Sequence, residues 1–104
     1  MTYVLASGGG NNAWGRPIAV FSNTAIMKDY IIKDFNKIFS VYSNKIKITS
    51  RKAERAFYSI MVTGKNDDNE SAQRNYECHV LSDIDSDFDK KDDLFAWQKK
   101  NNDV

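Results

Sequence analysis

Between Pro17 and Asn44 the chain reads as strand, cap and amphipathic helix, and no other stretch restricts the fold as strongly. Ile18-Ala19-Val20-Phe21 is a short strand-forming run. Ser22, Asn23 and Thr24 follow, each with a side-chain oxygen that can accept from an orphan N–H of a first helical turn. From Ala25 to about Tyr42, the residues Met27, Tyr30, Ile31, Phe35, Ile38, Phe39 and Tyr42 recur at helical spacing, while Asp29, Lys33, Asn36, Lys37 and Ser40 fill the opposite side. Asn44 offers a left-handed stop. Burying that stripe contributes about 1.5–3 kcal/mol per side chain, most of it offset by chain entropy. The aromatic stripe is therefore a core face, and the working surface belongs to what flanks it.

Tyr3-Val4-Leu5-Ala6 reads as the opening strand, paired antiparallel with Ile18–Phe21. The connection Ser7–Pro17 is long for a hairpin, rich in glycine, and carries Trp14. After the helix, Lys45-Ile46-Lys47-Ile48-Thr49 alternates with period two, which predicts a strand with both lysines on one face. Arg51–Arg55 reads as a basic connection, and Ala56–Thr63 as a central strand ended by Gly64. A helix through Arg51–Met61 is the competing reading. Residues 65–75 read as a mobile polar loop, and Tyr76–Leu81 as a strand with Tyr76, Cys78 and Val80 on one face. Asp83–Asp93 is an acidic run, Leu94, Phe95 and Trp97 form a candidate short C-terminal helix, and residues 100–104 a frayed tail. The expected fold is α+β: one domain over 1–104, an antiparallel sheet of four to five strands with one long amphipathic helix on one face.

A length of 104 residues fits one domain, and two Trp, five Tyr and six Phe supply a core. No apolar run approaches the roughly 20 residues of a membrane span, and the first residues lack the basic start and apolar middle of a signal peptide. One cysteine, Cys78, excludes an intrachain disulfide and fits a cytoplasmic chain. Net charge is +1, yet residues 28–65 hold nine Lys or Arg against three acids, and residues 66–93 hold ten acids against three Lys or Arg. Such segregation gives either two halves that attract across the fold or a basic and an acidic face.

Catalytic constellations fail on inspection. His79 is the one histidine, and beside it Cys78 points to the opposite face of a strand, so the two form no dyad. One His and one Cys make no zinc site. Asp83, Asp85, Asp87 and Asp89 resemble a calcium loop, but Phe88 and Leu94 stand where an EF-hand needs Gly and Glu. Gly8-x-Gly10-x-x-Ala13 is followed by Trp14-Gly15-Arg16-Pro17 rather than a helix, against a dinucleotide site. The expectation is a protein without catalytic residues, metal or cofactor.

Two binding readings remain. In the first, Asn12, Trp14 and Arg16 in the glycine-rich connection hold a protein partner, Trp and Arg being the usual anchors of such contacts; Trp14 folded over the core as a lid is the alternative. In the second, Lys45, Lys47, Arg51, Lys52 and Arg55, with Phe57 and Tyr58 just beyond, hold a single-stranded nucleic acid through phosphate neutralisation and stacking. A monomer and a homodimer paired through an open edge strand are both consistent with the sequence.

The start Tyr3-Val4-Leu5, then Ile18-x-Val20-Phe21-Ser22 leading into a helix, and a closing Tyr76-x-x-x-Val80-Leu81 resemble a loose class of small α+β domains common in tailed phages. The Lys-, Asn-, Asp-, Tyr- and Phe-rich composition is likewise similar to early accessory proteins of large virulent phages. The resemblance implies a compact hairpin–helix–strand unit that binds and inhibits or modulates a host protein in the host cytoplasm. It covers the hairpin, the helix and the last strand, leaves residues 45–75 as an insertion, and transfers no functional residue.

Overall fold

The computed structural model describes residues 1–7 and 16–82. The tip of the glycine-rich connection, with Asn12 and Trp14, lies outside the described residues, as do the acidic run, the candidate C-terminal helix and the tail. Strands β1 (Thr2–Ser7) and β2 (Arg16–Phe21) pair antiparallel, as expected. Helix α1 (Thr24–Ile38) follows, with Asn23 as its cap: its Oδ1 accepts from the Ile26 N–H at 2.8 Å. Met27, Ile31 and Phe35 are fully buried, and Tyr30 and Phe39 pack against the same core.

The helix stops short of Tyr42. At Phe39 the backbone leaves helical geometry (φ −124°, ψ 55°), and Ser40–Tyr42 form a single 3-10 turn. The reason lies in the side chains. Phe39 sits 5.3 Å from the Phe35 ring and 6.2 Å from Tyr42, so the aromatic cluster closes back on itself. Ile38 and Val41 are exposed, leaving no apolar contact to carry the helix on. Asn44 is not a left-handed stop. Its N–H donates to the Lys65 carbonyl at 3.1 Å and leads the chain into the sheet.

Three further strands complete the sheet: β3 (Lys47–Glu54), β4 (Phe57–Lys65) and β5 (Ser71–Leu81). The order is β2-β1-β5-β4-β3, with every neighbour antiparallel. Helix α1 thus connects one edge of the sheet to the other. The helix weighed for Arg51–Met61 does not form. Arg51 and Lys52 belong to β3 rather than to a connection, and a turn with Ala56 at φ 63° joins β3 to β4. Alanine carries no turn signal, and its left-handed conformation is disfavoured by its Cβ. The Val80 N–H, donating to the Ala56 carbonyl at 2.8 Å, holds it there.

The polar loop expected over residues 65–75 is a tight hairpin. Asn66 Oδ1 accepts from the N–H groups of Asp68 (3.0 Å) and Glu70 (2.8 Å), Asn69 takes a left-handed φ of 65°, and β5 is under way at Ser71. The alternation of Ser71, Gln73 and Asn75 with Ala72 and Arg74 is invisible to hydropathy because nearly all five are polar.

The core is one layer between α1 and the sheet. Leu5, Ile48, Ile60, Val62, Tyr76 and Cys78 face the helix and are fully buried. Two contacts lock the layers. Asp34 on α1 accepts from Tyr76 Oη and from Arg74 Nε (3.1 Å) on β5, and the Arg74 guanidinium lies 5.1 Å from the centre of the Tyr76 ring. Farther along, Gly64 lies within β4, paired with Ala72, and does not end the strand. A Cβ there would stand 2.1 Å from the Tyr42 carbonyl oxygen and 2.7 Å from the Phe35 ring. The glycine is what lets the helix end press onto the sheet.

Gly64→Ala is therefore expected to destabilise the fold by about 3 kcal/mol, read as a fall of about 10 °C or more in Tm. A double-mutant cycle of Tyr76→Phe and Asp34→Asn, measured by urea unfolding, is expected to return a coupling of roughly 1 kcal/mol. Simple additivity would contradict the Asp34–Tyr76 contact.

Candidate functional site: the open face of the sheet

Because side chains alternate along a strand, every second residue of the sheet points away from α1. The pairing register sets these residues in rows. Val20, Val4, His79, Phe57 and Glu54 form the first. Glu77, Ser59 and Arg51 follow, then Asn75, Met61 and Thr49, then Gln73, Thr63 and Lys47, and finally Ser71 and Lys65. Apolar residues collect at one end of the face and cations at the other. At the apolar end Val20 is 64% exposed and Leu81 57%, and Met61 in the middle row is 39% exposed. Phe57 and His79 are half-buried and meet edge to face at 4.6 Å.

Of the residues expected to hold a protein, Asn12 and Trp14 lie outside the described residues, and Arg16 is exposed at the start of β2. Of those expected to hold nucleic acid, Lys45 and Lys47 share a side opposite buried Ile46 and Ile48, as their spacing predicts. Arg51 joins them on the open face, four residues beyond Lys47 on β3. Lys52 does not: it pairs with Tyr58, which is buried on the helix side, so neither belongs to this surface. Arg55 sits in the β3–β4 turn. Phe57 alone of the two flanking aromatics faces outward.

Sequence reasoning missed Lys65, Thr63 and Ser71. With Lys45 and Lys47 they line a depression of about 170 Å³ at the cationic end of the face. The signal was the alternation Ser59, Met61, Thr63, Lys65, which continues through Gly64 once the strand is not ended there.

Cys78 lies 3.8 Å from the Met27 sulfur under α1, and burial pushes its thiol up to about 12. His79 lies on the other face, so the expected separation of the two holds. Burial, and then the hydrogen bond to Asp34, raise the Tyr76 phenol above its ordinary range. Among the described residues no group of three His, Cys, Asp or Glu could hold a metal ion, and no helix is long and apolar enough to cross a membrane.

No protein-family model, curated protein or solved structure matches the chain. The α+β fold with its antiparallel sheet and single packed helix stands on the structure itself.

The Cys78 shift sets a pH dependence. The unfolded thiol loses its proton near its ordinary value of 9.0, whereas the native thiol keeps it to about 12. The native state binds more protons in that window, so stability is complete below about pH 9 and falls as pH rises towards 12, by up to about 1.4 kcal/mol per pH unit. Tyr76 acts in the same direction from about pH 10 upward, where the unfolded phenol loses its proton and the native one keeps it. Urea midpoints measured from neutral to alkaline pH are expected to fall in wild type and to fall less steeply in Cys78→Ala.

Proposed function

We propose that the chain is a non-catalytic binding protein that holds a short single-stranded nucleic acid along the open face of its sheet. The observation that carries this reading is the line of side chains along β4 and its neighbours β3 and β5: Phe57 against His79, Arg51 beside Ser59, Met61, Lys47 beside Thr63, then Lys65. From Phe57 to Lys65 this track is about 27 Å at about 3.4 Å per residue, room for several nucleotides. Bases stack on an aromatic face and on an Arg plane, and the phosphates run past the lysines. Glu54 and Glu77 share the face, so affinity is modest and salt-dependent.

A protein partner is the second reading, with its own supporting observation. Val20 and Leu81 stand exposed at the apolar corner of the face beside half-buried Val4, and Arg16 lies on the same edge strand. Exposed aliphatic side chains grouped at a sheet corner suit a protein contact. A host-directed accessory protein of the phage type would use this corner.

Fluorescence anisotropy with a labelled oligothymidylate separates the two. Strand binding predicts a salt slope of about −2 to −3 in log K against log salt, from three or four phosphate contacts at about 0.7 each. Arg51→Glu with Lys47→Glu is expected to weaken binding by about tenfold or more, and Phe57→Ala by about fivefold or more. Affinity indifferent to both changes overturns the strand reading. A chain that ignores oligonucleotide but loses a crosslinked cellular protein on Val20→Asp follows the second.

A further inference from the structure

The cationic end of the open face has a shape that the strand track does not account for. Lys45 and Lys47 line it from the chain entering and forming β3, Thr63 and Lys65 from the end of β4, and Ser71 from the first residue of β5. Five side chains from three strand ends surround one depression of about 170 Å³, and none of them is acidic. Of the three acids of the adjoining turn, Asp67 accepts from Asn44 Nδ2 and Glu70 from Asn66 Nδ2 at 3.0 Å, while Asp68 is exposed and none of the three lines the depression. Three lysines lining one hollow bring like charges to the same place, and a bound anion offsets their repulsion.

We propose that the depression formed by Lys45, Lys47, Thr63, Lys65 and Ser71 is a binding site for a phosphate monoester. A monoester carries close to two negative charges at neutral pH and presents three terminal oxygens. Each lysine is a compact charge with rotatable donors and can take one oxygen, and the two hydroxyls add neutral donors. A phosphodiester offers one charge and two free oxygens, which leaves one ammonium without an acceptor. The site therefore takes the phosphorylated end of a chain or a small phosphorylated molecule. It lies at the end of the proposed strand track but does not depend on that reading.

The test is a titration of the full chain followed by amide NMR. Inorganic phosphate and ribose 5-phosphate are added at constant ionic strength, with chloride as the control, to wild type and to Lys47→Gln/Lys65→Gln. Saturable shifts confined to residues 45–47, 63–65 and 71, absent with chloride and weakened tenfold or more in the variant, support the site. Both lysines are exposed, so the variant is expected to unfold at an unchanged urea midpoint. Shifts that never saturate, or that chloride reproduces, overturn it. A second arm compares oligothymidylate with and without a 5′-phosphate. Tenfold tighter binding of the phosphorylated strand, lost in the variant, assigns the site to a strand terminus. Ribose 5-phosphate binding without that preference assigns it to a small molecule. Should neither oligonucleotide bind while ribose 5-phosphate does, the strand reading fails and the phosphate site stands.

Discussion

One helix must cover a five-stranded sheet, and that constraint orders everything else. Helix α1 has 15 residues and so a length of about 22 Å. Five strands span about 19 Å across their axes. The helix leaves the β2 edge, crosses the sheet and delivers the chain to the β3 edge, and in doing so it buries the middle of one face, with Ile18, Phe21 and Ala72 partly buried around it. Its angle is held at two places. Asp34 grips Tyr76 and Arg74 on the central strand, and the missing Cβ of Gly64 lets Phe35 and the Tyr42 carbonyl settle on β4. A polar contact and a close approach thus act together: the first specifies where the helix lies, the second how near it comes.

The other consequence is an uncovered face. Its composition is graded, with Val20, Leu81 and Phe57 at one end and Lys45, Lys47 and Lys65 at the other. The charge segregation of the sequence becomes spatial here, because β3 and the end of β4 supply cations to the same surface. Glu77 near the middle keeps the face from being uniformly basic.

The hairpin and the helix were legible in the sequence because they rest on local patterns, and the cap was narrowed to Ser22, Asn23 or Thr24, of which the structure uses Asn23. The alternation of Ile46 and Ile48 against Lys45 and Lys47 was legible for the same reason. What escaped depended on partners distant in the chain. Arg51 and Lys52 are strand residues only because β4 pairs with them, and the turn at Ala56 is stabilised by Val80, far along the chain. Gly64 reads as punctuation until Phe35 is seen occupying its side-chain space. The start of β5 is polar on both faces, since Arg74 is neutralised by Asp34 rather than by solvent. The candidate site was half legible on the same grounds. Lys45, Lys47 and Arg51 follow from periodicity, whereas Lys65 and Ser71 reach the same hollow only through the β4–β5 hairpin, and Lys52 with Tyr58 falls on the wrong side by one residue.

The central claim is that the open face, and not the helix, meets the ligand. Mapping amide and methyl shifts of the full chain on adding oligothymidylate tests it most directly. The account predicts perturbations that alternate along β3 and β4, strong at Lys47, Arg51, Phe57, Met61 and Lys65 and weak at Ile48, Tyr58, Ile60 and Val62. Perturbations centred on the exposed helix end at Ile38 and Val41, or spread without alternation, would contradict it.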